Sequence, residues 1–217
     1  MDVSSGNRRV TITTDSVELE GLLGVPDGSK GIVLFAHGSG SGRLSPRNNY
    51  VAGALREHSI ATLLFDLLSE PEAADRRNVF DIDLLAQRLR AATIWVRGYA
   101  ATKDLAVGYF GASTGAAAAL LAAADDPRIQ AIVSRGGRPD LAARALTRVH
   151  APTLLIVGGE DDVVIRLNEE AYRQLQCEKN MQIVPGATHL FEEPGALEEV
   201  AKLARDWFER WLKPSVD

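Results

Sequence analysis

Residues 105–119 read LAVGYFGASTGAAAA, and the rest of the predicted fold is built around this segment. Its first part, Leu105–Phe110, is a continuous apolar run of the kind that forms buried strands in parallel sheets. Gly111–Gly115 follows as a G-x-S-x-G sequence, and an alanine-rich helix is predicted from Ala116. A strand, a tight turn and a helix in this order project the turn serine, Ser113, above the edge of a sheet. The alternative is an ordinary glycine-capped turn in which Ser113 only caps the helix.

Apolar runs alternate with helical patterns along the rest of the chain. Helices are predicted from Pro46, over residues 82–98, around Leu141–Val149 and at the C-terminal end, where Trp207 and Phe208 lie on the apolar stripe. The predicted strands are Arg9–Thr13, Val17–Val25, Gly31–His37, Ile60–Asp66, Leu105–Phe110, Ile129–Ser134, Thr153–Val157 and Gln182–Val184. This alternation favours an α/β fold with a mostly parallel sheet between two helical layers. No linker or repeat divides the chain, so residues 1–217 are predicted to form a single domain.

Acidic residues and a histidine follow two later strands. The predicted strand Thr153–Val157 leads into Asp161 and Asp162, and Gln182–Val184 is followed by a loop that carries His189. Because parallel strands end at one edge of the sheet, these side chains are expected near Ser113, in the order serine, acid, histidine. In the predicted triad, His189 takes the Ser113 proton, and an aspartate orients the imidazole. The residues alone leave Asp161 and Asp162 both open as the acid.

A glycine-rich turn, residues 37–42 with the sequence HGSGSG, follows the strand Gly31–His37. Acyl transfer needs backbone donors for the developing oxyanion, and the expected pair is the amide of Thr114, next to the nucleophile, and the amide of Ser39 in this turn. The alternative is a phosphate-binding loop. That reading fails because the turn lacks the spacing and the lysine of known nucleotide motifs, and because the next helix begins only at about Pro46.

Composition excludes several classes of protein. The chain has 217 residues, 24 Lys and Arg against 29 Asp and Glu, and a formal net charge of −5, so we expect no nucleic-acid partner. No apolar run approaches the length of a membrane span, and Met1–Val10 has no secretory pattern, so we expect a cytoplasmic protein, monomer or homodimer. Lone Cys177 and the scattered histidines have no metal-ligand spacing. No metal and no cofactor are expected, and the expected partner is a small-molecule substrate.

These motifs together resemble the α/β-hydrolase superfamily, and more narrowly its dienelactone-hydrolase-like group. The resemblance covers nearly the whole chain. It is based on the motifs at residues 37–40, 111–115, 158–161 and 187–191. It implies an eight-stranded, mostly parallel sheet in a three-layer αβα sandwich, and Ser113, Asp161 and His189 as the triad. Asp161 is preferred here because the group's acid directly follows Gly-Gly-x. Dienelactone hydrolases proper carry a cysteine nucleophile, whereas this chain has Ser113, so the expectation is a serine carboxylesterase-type activity on an ester or lactone.

Two further features bear on the substrate. The segment between the strands Ile129–Ser134 and Thr153–Val157 has room for one short helix, so no large cap domain is expected and the site is predicted to be open to small esters. Four arginines, Arg43, Arg47, Arg135 and Arg138, follow strand ends at the predicted edge. A guanidinium fork suits an anionic group, and the alternative is that these arginines only balance an acidic surface.

Thioester, peptide or peracid chemistry on the same triad, or a binding module without activity, are the competing functions.

Overall fold

The computed structural model describes residues 7–14 and 17–213, which form one eight-stranded sheet with helices on both faces. The strands are β1 Arg8–Thr13, β2 Glu18–Gly24, β3 Gly31–Ala36, β4 Ala61–Phe65, β5 Ala106–Ala112, β6 Ile129–Arg135, β7 Thr153–Gly158 and β8 Lys179–Val184. The helices are α1 Pro46–Glu57, α2 Glu70–Ala74, α3 Arg76–Val79, α4 Ile82–Gly98, α5 Thr114–Ala124, α6 Asp162–Gln174 and α7 Ala196–Trp211, with a 3₁₀ segment at Pro139–Arg148. The ends of the predicted domain 1–217, Met1–Gly6 included, lie outside the described residues.

The strand order is β1-β2-β4-β3-β5-β6-β7-β8. Strand β2 runs antiparallel to β1 and β4, and β3 to β8 are parallel to one another, so their carboxyl ends share one edge. The predicted α/β-hydrolase fold is confirmed, and no cap domain covers the sheet within the part of the chain that is described. The six strands β3 to β8 all overlap the predicted runs, whereas α2, α3 and α6 were not predicted.

Two apolar clusters hold the layers together. One packs α4, α5 and the 3₁₀ segment against one face of the sheet, and the other packs α1 and α7 against the opposite face. Trp207 and Phe208 are buried in the second cluster, as predicted from the aromatic stripe. Strand β5 carries Gly108 opposite Phe208, where a Cβ would lie 3.0 Å from the phenyl ring, so the ring rests directly on the backbone of the central strand. Among the described residues, no helix is long and apolar enough to cross a membrane.

Shortening Phe208 to alanine tests this second cluster. Phe208→Ala should lower the free energy of unfolding by about 3–5 kcal/mol, because it removes a fully buried ring and leaves a cavity against β5. Urea unfolding followed by circular dichroism measures the change. Ile94→Ala is the matched control, since Ile94 is 72% exposed on α4, and it should stay within about 0.5 kcal/mol of the native protein. An equal loss in both variants would contradict the assignment of Phe208 to the core.

Candidate active site

Ser113 occupies a strained turn between β5 and α5. Its backbone has φ 51° and ψ −122°, a conformation that residues with a side chain rarely adopt and that costs about 1–3 kcal/mol. Its amide donates a hydrogen bond to the carbonyl of Arg135 at 3.3 Å, and its carbonyl accepts one from the amide of Arg138 at 3.1 Å. The turn is therefore fixed to the end of β6, and the serine stands at the carboxyl edge of the sheet.

The glycines of the G-x-S-x-G sequence are required by close packing. A Cβ on Gly115 would lie 2.1 Å from the carbonyl oxygen of Ala36, and a Cβ on Gly111 would lie 2.4 Å from the Cα of Ala116. Both distances are shorter than any real carbon contact, so neither position accepts a side chain without moving the backbone. Helix α5 can therefore begin directly against the end of β3.

His189 and Asp161 are joined at the same edge. The Nδ1 atom of His189 lies 2.6 Å from Oδ2 of Asp161. A carboxylate can only accept a hydrogen bond, so Nδ1 carries a proton and donates a hydrogen bond to Asp161. In the neutral ring Nε2 then carries no proton and is free to accept one. Asp162 is exposed and is the first residue of α6, so Asp161 is the aspartate that reaches the ring.

The loops that carry these two residues are bound to each other and to β6. The amide of Glu160 donates to the carbonyl of Ala187 at 2.9 Å. A Cβ on Gly136, a glycine with φ 51°, would lie 3.5 Å from both Cε1 and Nδ1 of His189, so the imidazole ring rests beside the turn that follows β6. The same strand end accepts the amide of Ser113. The structure thus brings Ser113, Asp161 and His189 to the ends of β5, β7 and β8, around the end of β6.

The glycine-rich turn after β3 lies against the serine. A Cβ on Gly38 would lie 3.0 Å from Cβ and 3.7 Å from Oγ of Ser113. Ser39 and Thr114 both line a cleft at this point. Across the described ranges, the amides of Ser39 and Thr114 donate to no backbone or side-chain acceptor. These two predicted oxyanion donors are therefore next to the serine and unused.

His37 fastens this turn to the loop after β4, a role that sequence reasoning missed. Its Nε2 accepts the amide of Leu67 at 3.0 Å, so Nδ1 carries the proton and donates to the carbonyl of Gly38 at 3.0 Å. Burial lowers the pKa of the imidazole below its usual value, and the Gly38 carbonyl and the Asp66 charge oppose this only in part. A protonated ring could not accept from Leu67, so the neutral form holds the turn in place.

The cleft beside Ser39 and Thr114 has a volume of about 290 Å³. Its apolar wall comes from Leu68, Val79 and Leu85, and the wall is completed by helices α2 and α3. A capping box at the start of α2 holds this segment, since Ser69 donates through its amide to Glu72 at 2.9 Å. The S-x-x-E pattern of residues 69–72 is the sequence signal by which α2 could have been found.

The four arginines of the edge have different surroundings. Arg43 forms ion pairs with Glu20 and Asp66, and Arg138 forms a bidentate pair with Asp140, at 2.7 Å for the shorter contact. Arg47 pairs with Glu192 at 2.8 Å. Arg135 is 8% exposed and has no acidic partner in the described part of the chain.

Cys177 lies away from the candidate site. Its Sγ is 3.7 Å from Oγ1 of Thr153, at the start of β7 and so at the opposite edge of the sheet from Ser113. Burial raises the pKa of its thiol, which opposes formation of a thiolate. In residues 7–14 and 17–213 no group of three or more His, Cys, Asp or Glu side chains is arranged to hold a metal ion.

Comparison with known proteins agrees with this fold. A family model described as "Alpha/beta hydrolase domain" matches residues 29–203, and the chain therefore belongs to the alpha/beta hydrolase family. The crystal structure of a dienelactone hydrolase from Anabaena variabilis is similar over 96% of this chain and 99% of its own, with 55% sequence identity and a TM-score of 0.94. Est1E from Butyrivibrio proteoclasticus shares the fold over 93% and 98% of the two chains, with 16% identity and a TM-score of 0.80.

Two Mycobacterium tuberculosis proteins, whose name proposes a phosphoribosyl transferase, are 57% identical over 204 residues. The match covers 93% of this chain and 46% of each relative, so the chain spans about half the length of the curated relatives it matches. Their name describes the whole protein and is not assigned to this chain.

The pH dependence of stability tests the neutral form of His37. The pKa of His37 is lowered in the folded state, so the unfolded chain binds the proton first as the pH falls. The stability that the neutral ring contributes is full above about pH 6.5 and is lost as the pH falls through the lower folded pKa. His37→Gln should therefore destabilise the protein more at pH 7.5 than at pH 5.5 in urea unfolding. His150→Gln, at an exposed loop position, is the control, and a pH-independent effect of His37→Gln would contradict the assignment.

Proposed function

We propose that the chain is a serine hydrolase that cleaves a small carboxylic ester or lactone through an acyl-enzyme. The observation that carries the proposal is the 2.6 Å hydrogen bond between His189 and Asp161, at the edge where the strained turn presents Ser113. A serine hydroxyl is a weak nucleophile, and it needs a base that a third group orients. The similarity to a dienelactone hydrolase supports ester or lactone cleavage, which is the same acyl transfer.

In the proposed first step, Nε2 of His189 takes the proton of Ser113 while Oγ attacks the carbonyl carbon. The carbonyl oxygen becomes an oxyanion, and the amides of Ser39 and Thr114 donate to it. Asp161 stabilises the imidazolium and keeps Nδ1 protonated. When the tetrahedral intermediate collapses, the bond to the leaving oxygen breaks and His189 gives its proton to that oxygen. The alcohol leaves, and the acyl group remains on Ser113.

Water resolves the acyl-enzyme by the same route in reverse. His189 accepts a proton from water, the hydroxyl oxygen attacks the acyl carbon, and the acid is released when Ser113 regains its proton. Apart from the substrate and water, the proposed cycle uses this chain's own side chains and amides. The cleft beside the oxyanion donors is small, and Leu68, Val79 and Leu85 give it one apolar wall, which supports a short, uncharged acyl group in this position.

Covalent labelling tests the nucleophile. A fluorophosphonate probe should label the native protein, and Ser113→Ala should lose the label and reduce kcat on p-nitrophenyl acetate by about 10⁴-fold or more. Cys177→Ala is the control and should keep both, because Cys177 lies at the opposite edge of the sheet. A native protein that is neither labelled nor active on a panel of esters, thioesters and peptides would favour a binding module instead.

A pair of neighbouring aspartates separates the role of the acid from a general effect of charge. Asp161→Asn should lower kcat by about 10⁴-fold, because the amide no longer stabilises the imidazolium or holds the reactive tautomer. Asp162→Asn removes the same charge one residue later, from an exposed position, and should change kcat only a few-fold. Steady-state kinetics at saturating ester, with melting curves to verify folding, measure both. Equal losses in the two variants would argue against Asp161 as the orienting acid.

A further inference from the structure

Arg135 is a buried cation without a counter-ion. It is the last residue of β6 and is 8% exposed, and its Nε and Nη1 atoms are buried without a hydrogen-bond acceptor. The guanidinium lies 5.9 Å from the ring centroid of Phe191, which is its one aromatic contact among the described residues. A buried charge that has no partner is unfavourable, so such a group is retained where something outside the chain can pair with it.

Arg47, in the first turn of α1, adds a second charge to the same place. Burial, together with the positive charge of Arg47, lowers the pKa of Arg135 to about 10, so the Arg135 guanidinium is still charged at neutral pH. Arg47 binds Glu192 through Nη1, but its Nε is also buried without an acceptor. The guanidinium groups of Arg135 and Arg47 and the carboxylate of Glu192 together leave one excess positive charge. Three buried guanidinium nitrogens of the two arginines have no hydrogen-bond acceptor.

The other two arginines of the edge show that this arrangement is specific. Arg43 binds both Glu20 and Asp66, and Arg138 binds Asp140 through two parallel hydrogen bonds. Their charges are therefore matched within the chain. If the arginines only balanced the acidic residues of the surface, each would be paired with a carboxylate in this way. Arg135 has no such carboxylate among the described residues.

The Arg135 side chain lies on the His189 side of the nucleophile. The carbonyl of Arg135 accepts a hydrogen bond from the amide of Ser113. Gly136, which follows Arg135, lies against the His189 ring, and Phe191, which the Arg135 guanidinium contacts, follows His189 by two positions. The apolar cleft is on the other side, beneath the turn after β3 and the loop after β4. In the proposed mechanism His189 protonates the leaving oxygen, so the leaving alcohol is held on the side of Arg135 and Phe191.

We propose that Arg135 and Arg47 form a carboxylate-binding subsite for the alcohol portion of the substrate. This inference rests on the proposed function and adds the chemical class of the substrate: an ester with a small apolar acyl group and an alcohol that carries one carboxylate. The planar guanidinium fork matches the two oxygens of a carboxylate, and the ring of Phe191 supplies an apolar surface between the charge and the scissile bond. Glu192 holds Arg47 in place and repels a dianion.

A pair of esters that differ only in charge tests the subsite. The anionic substrate is 4-acetoxybenzoate and the neutral one is its methyl ester, so the acyl group is the same in both. Arg135→Gln should lower kcat/KM for the anionic ester by about tenfold or more, since a charge-assisted contact is lost, and change that of the neutral ester less than about threefold. Arg138→Gln is the matched control, from the same edge, and should leave the ratio of the two values unchanged.

Arg47→Gln gives an independent readout, because Arg47 is part exposed on α1 and its replacement does not disturb β6. It should also reduce the preference for the anionic ester. If Arg135→Gln does not fold, this variant decides the question. An equal fall for both esters, or no change in their ratio in either variant, would overturn the subsite while leaving the hydrolase assignment intact.

Anion binding without turnover separates the two proposals. Benzoate should raise the melting temperature of the native protein, while benzamide should not, and the effect of benzoate should disappear in Arg135→Gln or Arg47→Gln. If Ser113 is not labelled and no ester is cleaved, the proposed function fails, and this measurement still decides the subsite. The absence of any benzoate effect on the native protein would then overturn it.

Discussion

The contact between Gly115 and the end of β3 is the constraint on which the site depends. A Cβ at this position would lie 2.1 Å from the carbonyl oxygen of Ala36, so α5 can start here only because Gly115 has no side chain. Ser113, two residues earlier, has its strained positive-φ conformation in the same turn, and Gly38, two residues after Ala36, lies against the serine. The nucleophile and the backbone amides proposed to serve it are thus placed by one packing contact, and a larger residue at Gly115 would move both.

The buried strands could be predicted because their apolar runs are set by burial on both faces of a parallel sheet. Strand β8 was predicted only from Gln182, because Lys179 and Asn180 are polar and Asn180 is exposed at the sheet edge, so the first residues of the strand form no apolar run. Helices α2 and α3 have no buried residue and therefore no apolar period, so their signal was confined to the capping box at Ser69. Helix α6 buries only three residues, Val164, Asn168 and Ala171, which is too narrow a stripe to stand out beside the acidic run before it.

Within the candidate site, Ser113 and His189 could be predicted from local sequence patterns. The roles of Asp161, His37 and Arg135 depend on contacts between distant segments. Asp161 and Asp162 are adjacent and chemically identical, and only the direction in which each leaves the β7–α6 turn distinguishes the one bonded to His189. His37 binds an amide thirty residues away, which no local pattern encodes. The same holds for the arginines: four follow strand ends in the sequence, and the presence or absence of an acidic neighbour in space separates Arg135 from Arg43 and Arg138.

The two sides of Ser113 differ in charge, and this difference gives the proposed substrate a direction. On the side of the turn after β3, the part-buried His37 has a lowered pKa, so its imidazole is neutral. The cleft there combines the apolar side chains of Leu68, Val79 and Leu85 with the carboxylates of Asp66 and Glu70, so its described lining carries no positive charge that would attract an anion. On the side of His189, Arg135 is buried as a cation beside Arg47. An ester with one apolar end and one anionic end can enter in only one orientation without placing its negative charge against apolar side chains and the carboxylates of Asp66 and Glu70. That orientation places the carbonyl oxygen toward the amides of Ser39 and Thr114 and the leaving oxygen toward His189, as acyl transfer requires.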